Sequence, residues 1–149
     1  MNAYKRPNPD VARILCLDLG DEWTGAALSD PVGFTAKPFA TVPTGQLEDF
    51  IVKAMQQENV MEVVIGYPIT LRGTESLQTK KVVNKKEELE KAFPTVTFHL
   101  WDERLTSQKA QMLKKAKTKE EKLQSHSIAA AFILQSYLDY LYQKKLSGT

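Results

Sequence analysis

Cysteine occurs once in this chain of 149 residues, at Cys16. A single thiol excludes an internal disulfide framework and any CxxC metal site. Its position inside the run ILCL (14–17) leads us to expect a buried, inert side chain. Long apolar runs are missing as well. The longest, IAAAFIL (128–134), is far shorter than the ~20 residues of a membrane span. The polar N-terminus MNAYKRPNPD has no apolar core of the signal-peptide kind. A cytoplasmic protein with no membrane partner is expected. Charge of one sign is scarce: 20 Lys+Arg against 18 Asp+Glu leave a net charge of +2. A wholesale electrostatic attraction to nucleic acid is therefore excluded, and any basic surface has to be local. Repeats and low-complexity tracts are also absent.

What is present is ordinary globular material, 42% hydrophobic and 26% charged, enough for one core and one domain. We place that domain at 12–143, between tails at 1–11 and 144–149. Apolar density and stop residues predict strands over 12–19, 23–29, within 33–42, 61–66 and 96–101. The two residues Asp21 and Glu22 make the first pair a hairpin, and Pro38 marks a kink or an edge in the third strand. Gly66 and Pro68 are expected to end the fourth. Leu47, Phe50, Ile51, Ala54 and Met55 keep 3–4 spacing and predict a helix over 45–58. A solvated helix is expected at 75–92, and a short one from a Thr106 or Ser107 cap to about Lys115. Residues 117–124 read as a charged loop and 125–143 as the last helix. A hairpin-first block followed by β–α units argues for an α/β protein with a five-stranded mixed sheet and helices on both faces.

Chemistry concentrates at the strand ends. Asp18 closes the apolar run ILCLDLG, and burying an ionised carboxylate costs several kcal/mol unless a cation or several donors compensate it. Asp102 and Glu103 follow VTFHLW directly, and His126 opens the last helix. Carboxylates at the carboxyl ends of parallel strands converge where ligands bind. Such a cluster suits Mg²⁺ or Mn²⁺, and a pair of these ions promotes phosphodiester hydrolysis. Each residue also has a plainer reading. Asp18 could cap a strand or pair with a cation, acids before a helix favour its positive end, and His126 shares a face with Ala129, Ala130, Ile133 and Tyr137. His99, mid-strand, is expected to be structural. No base stands at a telling spacing from Ser29 or Ser107, which argues against serine nucleophiles. GYPITLRGT (66–74) is either an ordinary β–α turn or a phosphate-holding helix start with Arg72 beside it. Lys109, Lys114, Lys115, Lys117, Lys119 and Lys122 face only two acids in 105–123. That run is either a solvated face or a bed for a nucleic-acid backbone.

Taken in order, ILCLDLG…TGAALSDPVGFTAKP, VVIGYPITLRGTE, WDERLTS and HSIAAAFILQSYLDYL resemble the YqgF (RuvX) family over residues 12–140. These are Holliday-junction-resolvase-like proteins of the ribonuclease H superfamily. The resemblance implies a ribonuclease H-like fold and a metal-dependent endonuclease. Its substrate would be the 5′ end of pre-16S ribosomal RNA, a structured RNA, or alternatively branched DNA. By position, Asp18 would be the first-strand carboxylate and Glu103 the acid of the DERLT box, with a two-metal Mg²⁺ or Mn²⁺ site expected. His126 stands where the family pattern has Asp, and is expected as third ligand or proton carrier. Arg72, Arg104, Lys109, Lys114, Lys115 and Lys117 would hold the substrate. The stretch LDLGDEWTG also departs from the family, with Leu19 for a tyrosine and Asp21-Glu22 where basic residues are usual. A non-catalytic nucleic-acid-binding member is the rival reading.

Overall fold

The computed structural model describes residues 11–69, 76–104, 115 and 117–148, with the backbone alone at 69, 103 and 104. Five strands form one sheet: β1 (Arg13–Asp18), β2 (Trp23–Ser29), β3 (Ala36–Pro43), β4 (Val60–Ile69) and β5 (Thr97–Arg104), in the order β3-β2-β1-β4-β5. The first three are antiparallel neighbours, whereas β1, β4 and β5 are parallel. The carboxyl ends of β1, β4 and β5 thus share one edge, as the apolar character of ILCL and EVVIG predicts for strands covered on both faces.

Alternation along the strands sorts the core into two layers. Leu15, Leu17, Val63, Ile65 and Phe98 pack with helices α1 (Leu47–Gln57) and α2 (Leu77–Ala92). Cys16, Ala27 and Val64 face the long helix α3 (Lys119–Leu146), meeting Ala130, Ile133, Leu134 and Leu138. Each fully buried Leu, Ile or Val of these layers contributes about 1.5–3 kcal/mol. Cys16 is buried as expected. No helix among the described residues is long and apolar enough to cross a membrane.

Four boundaries differ from those read in the sequence. β5 does not end at Trp101 but runs to Arg104, still paired with β4, so Asp102 and Glu103 lie within the strand. β4 continues through Gly66 and Pro68 to Ile69, paired with β5 alone beyond Ile65. Beyond Ile65 the ladder of β4 is with β5 and no longer with β1 among the described residues, so on the β1 side the missing N–H of Pro68 costs no bond to β1. α3 begins at Lys119, inside the expected charged loop. The Thr118 hydroxyl accepts from the Glu121 amide, and the Glu121 carboxylate accepts from the Lys117 amide. The first bond caps a helix-start donor, and the second holds the amide just before the cap. At the other end α3 runs to Leu146, carried by Lys144 and Lys145 in the last turn and stopped by Gly148 at φ 74°. Pro38 does lie on an edge strand, beside the register shift between Ala26 and Ala27. The helix expected from Thr106 or Ser107 falls outside the described residues.

Candidate active site at the carboxyl edge of the sheet

Asp18 ends β1 opposite Gly25 of β2 and in phase with Cys16, which puts it on the α3 face of the sheet. It is half-buried. Gly25 is where α3 touches down. A Cβ on Gly25 would lie 2.0 Å from the His126 carbonyl oxygen and 2.9 Å from the Ser127 nitrogen. Thr41, the partner of Gly25 on β3, donates its hydroxyl to the Leu123 carbonyl. Two neighbouring strand positions therefore grip consecutive turns of α3 and bring His126 to the same strand pair as Asp18.

The turn after Asp18 is equally constrained. A Cβ on Gly20 would meet the Trp23 carbonyl oxygen at 2.4 Å, so the hairpin closes tightly only with glycine there. The Thr44 hydroxyl donates to the Gly20 carbonyl at 2.7 Å, and its amide donates to the Glu22 carbonyl at 2.9 Å. With its proton committed to Gly20, Thr44 accepts from the Thr24 hydroxyl at 2.9 Å. The acidic pair Asp21-Glu22 is thus held beside the site, and Asp21 lies 3.3 Å from the Lys81 ammonium.

On β5 the two acids separate by phase. Asp102 follows Leu100 and Phe98 towards the α1–α2 layer and is exposed. Position 103 falls in phase with His99 and Trp101, the α3 side, with its backbone opposite Pro68. Positions 18 and 103 are two strand spacings apart, about 10 Å across the sheet, and the register sets position 103 two residues beyond the rung of Asp18. Among residues with described side chains, no group of three His, Cys, Asp or Glu is close enough to hold a metal ion. The side chains of Glu103 and Arg104 are not among them, and Arg72, Lys109 and Lys114 lie outside the described residues. Lys115 and Lys117 are exposed.

Ser29 is buried, and its hydroxyl accepts from the Ile14 amide at 2.8 Å, a structural bond. His99 has a partner that its place in the sequence does not reveal: Nε2 lies 2.9 Å from Glu62 Oε2, which also accepts from the Tyr137 hydroxyl at 2.8 Å. Burial and then the Glu62 carboxylate push the Tyr137 phenol up from its usual range. The signal for this trio was an acid inside the apolar run MEVVIG. Asp30 of SDPVG was likewise missed. Its carboxylate accepts from the Phe34 amide at 2.9 Å and the Thr35 hydroxyl at 2.8 Å, and also from the Gly33 and Thr35 amides. It organises the β2–β3 connection.

A family model described as "RuvX: Holliday junction resolvase" matches residues 12–140. The chain belongs to the RuvX family. Two relatives of this RuvX-family chain, each named "Putative pre-16S rRNA nuclease", come from Rubrobacter xylanophilus and Syntrophus aciditrophicus. The first is 37% identical over 133 residues, 89% of this chain and 96% of the relative. The second is 37% identical over 140 residues, covering 90% and 93%. Among solved structures, Thermus thermophilus RuvC aligns with a TM-score of 0.50 at 13% identity, over 87% of this chain and 96% of that one. That is a likeness of fold, and it agrees with the ribonuclease H-like sheet expected from the motifs.

Proposed function

We propose that this RuvX-family chain is a cytoplasmic endonuclease that hydrolyses phosphodiester bonds in structured RNA, its substrate being the 5′ end of a 16S ribosomal RNA precursor. The observation that carries the reading is the seating of His126 over Gly25, directly across the β1–β2 ladder from Asp18. Position 103 is in phase with the same face of the sheet. The relatives' names support the choice of substrate.

In this reading Asp18 and Glu103 supply hard oxygen donors, the kind Mg²⁺ and Mn²⁺ take, and His126 supplies a third ligand or carries a proton. A divalent pair, when bound, supplies charge stabilisation at the attacking and leaving oxygens. The chain's own contribution is placement. The turn after Asp18 is held by the Thr44 bonds to the Gly20 and Glu22 carbonyls, and the backbone of His126 is placed by its close approach to Gly25. Arg72, Arg104, Lys109, Lys114, Lys115 and Lys117 would hold the backbone on either side of the cut. Hydrolysis forms one P–O bond to a water oxygen and breaks the P–O bond to the leaving ribose oxygen.

Branched DNA is the second reading, favoured by the description of the matching family model. The two are separated by incubating the protein with a precursor-16S 5′ leader RNA and with a four-way DNA junction, in Mg²⁺ and in Mn²⁺. Cleavage of the RNA at a defined position, absent in Asp18→Asn, is the expected result. Tight binding with no cleavage of either substrate would make the chain a non-catalytic binding member.

A further inference from the structure

Helix α2 carries its charges the wrong way round. Its first ten residues, Leu77–Lys86, contain Lys80, Lys81, Lys85 and Lys86 and no acid, while Glu87, Glu88 and Glu90 fall in the remainder with Lys91. The helix dipole favours acids at the start and bases at the end, and side-chain pairs are better with Glu preceding Lys. Here the first turn has no acid, and the pairs Lys85–Glu88 (3.3 Å) and Lys86–Glu90 (3.0 Å) both run in the less favourable direction. The helix gives up stability by this arrangement, so the lysines answer to something other than α2 itself.

Their location indicates what that is. The start of α2 is tied to the edge that carries Asp18. The Gln78 side chain donates to the carbonyl of Leu19, the residue after Asp18, at 3.4 Å, and the Thr79 hydroxyl donates to the Pro68 carbonyl at 3.1 Å. Lys81 and Lys85 line a notch of about 150 Å³ with Leu19, Gly20, Asp21 and Thr44. Lys81 lies 3.3 Å from Asp21 and so offsets the charge of the acidic turn. Lys80 is exposed on the neighbouring flank, beside Tyr67, and has no ion pair among the described residues. α2 lies on the opposite face of the sheet from α3, so the cationic half of α2 and the Asp18 site meet only at this edge.

We infer that Lys80, Lys81 and Lys85 form a rail for the phosphodiester backbone of the strand cut at Asp18, engaging it beyond the β1–β2 turn. The inference rests on the nuclease reading above. A strand presenting a phosphate at Asp18 would pass over Gly20 and reach this rail next. The contact is to phosphate and carries no sequence preference.

The test measures binding of the leader RNA and of a DNA oligonucleotide of the same sequence across a salt series. The Asp18→Asn background prevents cutting. Each phosphate neutralised on a single strand contributes about 0.7 to the slope of log K against log salt. Lys80→Gln/Lys81→Gln/Lys85→Gln should flatten that slope by about 2 for both oligonucleotides and weaken binding at least tenfold near 0.1 M salt. In the cutting protein it should raise KM and leave kcat in place. The control Lys86→Gln/Lys91→Gln should leave slope and affinity alone. Removing misplaced charges should not lower the melting temperature of the triple variant. A protein that cuts RNA or DNA normally with an unchanged slope in the triple variant overturns the rail and leaves the nuclease reading standing. Equal weakening by the control pair also overturns it. A wild-type protein that neither binds nor cuts either nucleic acid overturns both.

Discussion

The main-chain carbonyl oxygen of His126 lies 2.0 Å from the point where a Cβ on Gly25 would sit. Gly25 has no chemistry of its own, yet it sets the height of α3 above the sheet at the rung that carries Asp18. The candidate site depends on a missing side chain.

Gly25→Ala should therefore be damaging out of proportion to its size. The obstacle is backbone, which cannot swing aside like a flexible side chain. Overpacking of this kind costs about 1–3 kcal/mol or more. Thermal or denaturant unfolding should show that loss, together with reduced cleavage as the start of α3 lifts away from Asp18. Gly45→Ala is the matched control. A Cβ there meets nothing within 4 Å, so it should be neutral or stabilise by up to about 1 kcal/mol through the unfolded chain. Equal melting temperatures for the two variants would contradict the contact.

Asp18→Asn preserves size and most hydrogen-bonding shape while removing the negative charge. Cleavage should fall to background, and circular dichroism and the melting temperature should match the wild type or exceed it slightly, since active-site carboxylates often cost stability. A folded Asp18→Asn protein that still cuts removes Asp18 from the mechanism.

His126 replaces a carboxylate expected from the family pattern, leaving the proposed site one negative charge short. Mg²⁺ should bind less well than Mn²⁺, which tolerates imidazole better. His126→Asp should raise Mg²⁺ affinity and Mg²⁺-supported cleavage, and His126→Ala should weaken binding of both ions. Titration calorimetry on the three proteins decides it. Equal affinities would reduce the imidazole to a packing role, with His126→Ala changing stability by roughly 1 kcal/mol.

Asp30 gives a pH signature. Burial works against its charge, but hydrogen bonds from the Thr35 hydroxyl and from the Phe34, Gly33 and Thr35 amides outweigh this and hold the carboxyl below its usual value. A carboxyl depressed in the folded state contributes stability above its unfolded pKa, near 3.9, and loses it as pH falls through the folded value. Asp30→Ala should be less stable than wild type at neutral pH, with the gap closing below about pH 4. A gap independent of pH would assign the effect to packing.

Much of this architecture is written locally. Alternation and apolar density in ILCLD, WTGAALS and EVVIG mark the strands, and Pro38 marks an edge. Two errors were also local in origin. The Thr118-x-x-Glu121 cap lies in plain view inside a run that reads as charged loop. Pro68 reads as a stop because a proline normally breaks a ladder, and only knowledge of the neighbouring strand shows that it does not. His99 is legible as a mid-strand residue, but its partner Glu62 lies on another strand, where sequence proximity gives no sign of the pair.

By itself the sequence determined the strands, the hairpin, which residues share a face, and the family, since each follows from short-range periodicity or contiguous motifs. Only the tertiary structure decided that α3 seats His126 against the strand position facing Asp18, and that the lysine half of α2 reaches the Asp18 edge. The reason is physical. Periodicity is a property of neighbours along the chain, whereas these meetings depend on how closely a helix can approach a sheet, and at Gly25 that distance is set by the absence of a single carbon atom.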